Sequence, residues 1–377
     1  MATPRSSRLP TVMQVLHQGG GAGSVTSTLH LSLGLARRGV AVRFVCPPDS
    51  EVEALARAGG LEVLRLALGP GARRSNAAAL AALLARHPVD LVNSQSSRDR
   101  QALTWLALLG RLPVPLVLTR RQMPRTFYLE NWLAGRAAAR VIAVSRPVAA
   151  ALRRKGTPAA KLAVITNGLV AARVDRPVGA AELQAWRERI GWTPAQRTVG
   201  IVARAKDQRV VLAALPRVRT PVRLVLAGID PADPIARAAR EVALPHAVVC
   251  LPFTPDVRPL YDLLDLVLLP SRIEGFSQSL LEAMALGKPV IASAAAGNLD
   301  LVAPGGDGLV VPPLDPAAWA GAIDRVLGDA ELARRFGAAG RHTARETFSL
   351  ERTVAETLQL YQGILDPGAV VPPRRLG

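Results

Sequence analysis

The sequence predicts an α/β protein made of two doubly wound domains, and three observations carry that expectation. Its 377 residues are enough for two cores. Short apolar runs alternate with helix-like segments along the whole length, the pattern of parallel strands covered by helices. The series then starts afresh after a stretch at 170–194 punctuated by Pro177, Gly179 and Pro194, which marks a join.

In order, the runs place strands at 11–16, 40–46, 61–66, 89–93, 115–119, 141–145 and 162–166 in the first half. The second half places them at 198–203, 223–228, 247–251, 266–270, 290–293 and 308–311. The first domain is expected over 1–172 and the second over 173–347, with a closing helix at 348–365. A Pro- and Gly-rich stretch at 366–377 reads as a flexible tail. Open α/β sheets bind ligands beyond the carboxyl ends of their strands, so each domain is expected to hold a ligand, with a cleft between the two.

Composition narrows the function. Hydrophobic residues are 49% and charged residues 20%, which excludes a disordered or fibrous chain. No stretch reaches the length of a membrane span, and 1–20 passes from basic residues into a strand without a leader-like apolar core; the expectation is a cytoplasmic protein. Cys46 and Cys250 stand about 200 positions apart and read as buried, inert thiols. The net charge of +18 is lopsided, since residues 1–176 carry 25 Lys and Arg against 8 Asp and Glu. Either this is a solvated basic face, or the first half meets an anionic partner such as a phosphorylated acceptor or an acidic lipid surface. Nucleic acid is disfavoured, because aromatics are 4% and no nucleic-acid motif occurs.

The chemistry concentrates in LVLLPSRIEGFSQSLLEAMALGKPV at 266–290. It reads as a strand, a loop delivering Glu274 and Gly275, and a helix opening near Ser277 that stops at Gly287. The unpaired N–H groups of a first helical turn bind anions or hydroxyls, and Gly275 lets a ligand approach the backbone. Glu282 shares a helical face with Gln278 and Ser279. Two carboxylates in such a place suit the vicinal hydroxyls of a sugar. Arg204, Lys206 and Arg209 follow the strand at 198–203 directly and could neutralise a phosphate, although a solvated basic loop would look the same.

These stretches together resemble the glycosyltransferases of family 4, retaining enzymes of the GT-B fold that use nucleotide sugars. The likeness rests on EGFSQSLLE (an E-x7-E signature), AMALGKPVIAS, GGDGLVVPP, ARAKDQR, ITNG, VIAVS and the GGGAGSVTSTLHLSLGLARRG segment. It implies Rossmann-like domains, the first for the acceptor and the second for the donor. The closing helix would cross back to the first domain. By the same resemblance Glu274 would act on the donor sugar, helped by the Gly275 and Phe276 N–H groups, and Glu282 would hold the ribose. Arg204 with Lys206 would neutralise the pyrophosphate, Lys206 being preferred over Arg209 as the family's lysine. Gly20 and Gly21 would admit the phosphates at the first strand-to-helix turn, and no metal or other cofactor would be required. Ser277 and Gln278 complete the donor set, and Gln95, Ser96, Arg121 and Asn167 the acceptor side. A dinucleotide fingerprint fits the glycine loop poorly, since Ser24 stands where glycine is needed.

Two positions depart from the family's pattern. Where relatives often carry His, this chain has Gln95 and Arg121, which puts sugar preference or activity in question. Ser96 and Asp99 also fit a capping box. Arg120, Arg121, Arg125 and Arg136 interleave with Phe127, Tyr128 and Trp132, as at a membrane interface or as core aromatics beside surface arginines. The expected reaction is transfer of a sugar to a glycan or lipid-linked acceptor, as in lipopolysaccharide-type synthesis. The alternatives are an epimerase or phosphorylase on the same architecture and a silent, binding-only homologue.

Overall fold

The computed structural model describes residues 9–20, 23–242 and 245–366. Leu169–Ser349 forms one compact unit, and the residues on either side of it form the other. The first unit holds β1 (Thr11–Val15), β2 (Ala41–Cys46), β3 (Glu62–Arg65), β4 (Leu91–Ser94), β5 (Leu116–Arg120), β6 (Arg140–Ala143) and β7 (Leu162–Val164), all parallel, in the order β3-β2-β1-β4-β5-β6-β7. The second holds β8 (Arg197–Val202), β9 (Val222–Ala227), β10 (Ala247–Leu251), β11 (Leu266–Leu269), β12 (Val290–Ser293) and β13 (Leu309–Val311), in the order β10-β9-β8-β11-β12-β13. Each strand lies where an apolar run predicts it, with ends shifted by no more than two residues.

The sequence is legible in this respect because the central strands are covered on both faces. Every residue of β1, β4, β5, β11 and β12 is buried, so these strands appear as unbroken apolar runs. The second unit's core gathers Ile201, Leu224 and Leu226 of its sheet with Trp319 and Phe336 of the helices Pro316–Gly328 and Ala330–His342. In both sheets the strand order reverses beside the first strand of the unit, between β1 and β4 and between β8 and β11. At such switch points neighbouring strands send their connections to opposite faces and open a crevice at their carboxyl ends.

The terminal helix, Leu350–Leu365, packs on the first unit. Gly34 makes room for it, since a Cβ there would lie 2.4 Å from Val354 Cγ2. Tyr361 is fully buried and accepts hydrogen bonds from Gln14 Nε2 (3.1 Å) on β1 and Asn93 Nδ2 (2.6 Å) on β4. The stretch expected as a join contains two helices, Ala171–Asp175 and Ala180–Ile190, the latter ended by Gly191 at φ 59°. The division falls after residue 168 instead of 172, and the terminal helix starts at Leu350 instead of 348. Leu169 N donates to Phe348 O (2.6 Å), tying the second unit's first residues to its last. Burial lifts the Cys46 thiol to about 11, but Cys250 is only half-buried, correcting the expectation for that residue. The tail expected from 366 onward lies, after Asp366, outside the described residues. Among the described residues, no helix is long and apolar enough to cross a membrane.

Candidate functional site

In the second unit the loop after β11 delivers Glu274. Ser277 caps the helix Gln278–Ala285, its Oγ accepting from Leu280 N (3.3 Å), and Gly287 at φ 72° follows that helix. Phe276 is buried edge-on against Phe348, with ring centroids 5.3 Å apart. The loop backbone is pressed from behind by residue 297, where a Cβ would stand 2.3 Å from Gly275 O and 2.6 Å from Glu274 O. Only glycine fits there, so the loop carrying Glu274 lies directly against the backbone of residue 297.

The loop after β8 is organised from within by Gln208. This buried amide donates through Nε2 to Arg204 O (2.8 Å) and accepts through Oε1 from Lys206 N (2.6 Å). Asp207 ties the two loops together by accepting from Arg272 N (2.9 Å) and Nε (2.7 Å). Lys206 forms an ion pair with Glu274 Oε2, so a cation from the β8 edge meets a carboxylate from the β11 edge at the unit's switch point. Arg204 and Arg209 are exposed, and among the described residues neither side chain has an ion-pair partner.

Glu282, one turn into the same helix, is held by Arg173 Nε at 3.1 Å. Burial raises its carboxyl above the usual range, while Arg173 and Tyr261 pull it partly back. Tyr261 OH donates to Ser279 O (2.9 Å). Among the described residues, the buried Gln278 Nε2 at the start of this helix and the buried Ser271 Oγ after β11 have no hydrogen-bond partner.

The first unit has its own polar cluster at the β1 and β4 switch point. Gly20 follows β1 and lies so close to Glu51 that a Cβ would meet Oε2 at 2.6 Å; Gly21 lies outside the described residues. Ser96 and Asp99 form the capping box of the helix Ser97–Leu108, and His17 Nδ1 meets both Ser96 Oγ and Asp99 Oδ1 (3.1 Å). Asp99 is fully buried; burial alone would raise its carboxyl, yet hydrogen bonds from His17, Ser96 and Ser94 outweigh that and hold it below its ordinary value. Gln95 is buried, donating to Gln14 Oε1 (2.6 Å) and accepting from Arg121 Nη2 (3.0 Å). Arg121 Nη1 donates to Asn167 Oδ1. Hydrogen bonds thus join Gln95, Arg121 and Asn167, with Ser96 next in the chain. In the second unit Lys206 meets Glu274, which Gly275, Phe276, Ser277 and Gln278 follow directly, while Glu282 pairs with Arg173, and Arg204 and Arg209 stay exposed on the loop after β8.

Sequence reasoning missed Arg173, Tyr261, His17, Gln14 and Tyr361. The partners stand 109 positions apart for Arg173 and Glu282 and 82 for His17 and Asp99. Only His17 carried a usable signal, a polar imidazole directly after a buried strand.

Two family models match in tandem: Glycosyltransferase Family 4 over residues 21–173 and Glycosyl transferases group 1 over residues 196–329. A D-inositol 3-phosphate glycosyltransferase of Mycobacterium marinum is 31% identical over 242 residues, covering 57% of this chain and 50% of that protein. The chain spans about half the length of the curated relatives it matches. The structure of Anabaena Alr3699/HepE in complex with UDP-glucose matches with a TM-score of 0.80 at 21% identity, over 93% of this chain and all of that one. WaaG, a glycosyltransferase involved in lipopolysaccharide biosynthesis, matches at 0.70 with 17% identity over 93% and 100%. At these identities the structures bear on the fold alone.

Proposed function

The chain belongs to the family 4 glycosyltransferases of GT-B fold, and from that premise we propose that it moves a sugar from a nucleotide-sugar donor to an acceptor hydroxyl with retention at the anomeric carbon. The observation that carries the reading is the Lys206 and Glu274 ion pair at the β8 and β11 switch point, with Arg204 exposed beside it. Glu274 would accept hydrogen bonds from the donor sugar's hydroxyls, and Glu282 from the ribose. The Gln278 amide and the Gly275 and Phe276 N–H groups would complete the donor's contacts within the second unit. As the bond from the anomeric carbon to the phosphate oxygen breaks, Arg204 and Lys206 would take up the charge on the departing diphosphate. The acceptor oxygen would bond to the same face of the carbon, its proton passing to the leaving phosphate oxygen. In this reading the cationic work falls to side chains and needs no metal or other cofactor.

The acceptor reading is an anionic glycan or lipid-linked glycan of the envelope, of lipopolysaccharide type, met at the cytoplasmic membrane face. The basic first half supports it. So does an apolar ridge where Phe127, Tyr128 and Leu129 are 85%, 61% and 62% exposed. Arg125 precedes it and Arg136 lies over the Trp132 ring at 5.4 Å, the mix of basic and aromatic side chains that settles into an acidic lipid surface. Vesicle sedimentation checks this. The chain should bind phosphatidylglycerol vesicles and ignore phosphatidylcholine ones, and Phe127→Ser with Leu129→Ser should weaken binding by about tenfold or more. Equal binding of the two vesicle types would remove the membrane contact.

The transfer reading is tested by incubating the chain with UDP-, GDP- and ADP-sugars and measuring diphosphate release, then reading the product's anomeric configuration by NMR. One donor class should be turned over with its configuration kept. Inversion would refute retention, and binding without release would leave a silent homologue.

A further inference from the structure

Around Tyr361 the first unit builds a polar hub of neutral groups. Gln14, Asn93 and Gln95 link to one another through the Tyr361 hydroxyl and their own amides, and Thr119 Oγ1 donates to Asn93 Oδ1 (3.0 Å). Burial lifts the Tyr361 hydroxyl to about 12, so it too is uncharged at neutral pH. Against this hub lies one guanidinium, that of Arg121. Among the described residues its hydrogen-bond partners are two amide oxygens, on Asn167 and Gln95, and its sealed Nε has none. No carboxylate pairs with it.

The adjacent Arg120 is also buried and also bonded to an amide, Asn131 Oδ1 at 3.0 Å. Burial and the Arg100 charge press it down to about 9 against a smaller pull from Glu130, and it differs from Arg121 in having almost no access to solvent. A guanidinium removed from water without a counter-charge is costly, and two amide oxygens do not supply one. A neutral side chain could have closed the same hub. Arg121 is nevertheless not walled in, because part of its side chain reaches solvent.

We infer that Arg121 anchors an oxyanion, a carboxylate or a phosphate, carried on the sugar substrate bound by the first unit. A planar fork with two of its nitrogens already oriented by fixed amides is suited to accept such a group, and poorly suited to select a neutral hydroxyl. Gln95 and Asn167 then act as positioning residues that hold the fork in place. The identity of the carrier as a sugar substrate rests on the glycosyltransferase reading, whereas the oxyanion rests on a guanidinium with amide partners alone that still reaches solvent.

The test separates these two. The full chain with Arg204→Ala, Lys206→Ala and Arg209→Ala, which removes the three cations of the loop after β8, is followed by thermal shift at constant ionic strength with inorganic phosphate, glucuronate or glucose. Phosphate or glucuronate should raise Tm with increasing concentration, and glucose should not; the better of the two anions names the substituent. Adding Arg121→Met should weaken that response at least tenfold. If the Met variant does not fold, Arg121→Gln takes its place and the same loss is expected. The inference is overturned if neither anion raises Tm, or if the rise is equal with and without Arg121. Failure of the chain to turn over any nucleotide sugar would leave these binding results standing and would refute the transfer reading instead.

Discussion

Glu274→Ala is expected to lower turnover by roughly 10²- to 10³-fold while leaving nucleotide affinity within a few-fold, the signature of a group used when charge and bonds reorganise. The carboxylate sits on a loop packed against the backbone of Gly297, and it faces the Lys206 ammonium across two neighbouring strand ends. Removing it leaves Lys206 on the surface, where an unpaired ammonium is readily solvated, so the cost to stability should be small. Steady-state kinetics beside calorimetric titration with the diphosphate separates the two effects. A variant that loses nucleotide affinity in step with turnover would move Glu274 into the binding set alone.

Glu282→Ala should do the reverse, weakening nucleotide binding by about 10- to 100-fold, the worth of charged hydrogen bonds to hydroxyls, with turnover at saturation little changed. Its pH dependence gives a second check. Burial raises this carboxyl above the ordinary range. As pH falls it therefore takes up a proton sooner than an exposed glutamate would, and affinity should begin to fall at a higher pH than the usual carboxylate value, about 4.3. Glu282→Gln should flatten that part of the profile. A wild-type affinity unchanged down to the pH at which exposed carboxylates titrate would dissociate Glu282 from the ribose.

Much of this architecture is legible in the amino-acid sequence, for a reason visible in the strands themselves. Strands covered on both faces must be apolar throughout, so β1, β5 and β11 announce their positions. The start and stop of the helix Gln278–Ala285 are equally local, written in Ser277 and Gly287. What stays hidden is decided by strand order. Glu282 is visible as a candidate, but its partner Arg173 lies on a helix expected to be a join. His17 and Asp99 are brought together because β1 pairs with β4 and not with β3, which no run of residues states. Arg121 could be picked out as a departure from a familiar pattern, yet its lack of a counter-charge appears only once Asn167, 46 positions on, is folded against it.

The Tyr361 anchor has a consequence for biosynthesis. The hub holding Gln14 and Asn93 needs a hydroxyl that leaves the ribosome after the whole of Leu169–Ser349. The strands β1 to β7 of the first sheet all lie within residues 11–164, so that sheet can pair as it emerges, while the Gln14 and Asn93 amides keep water as their partner until Tyr361 arrives. Docking of the helix Leu350–Leu365 is thus a late and separable step, which exchanges water for the Tyr361 hydroxyl inside a sheet whose strands are already present.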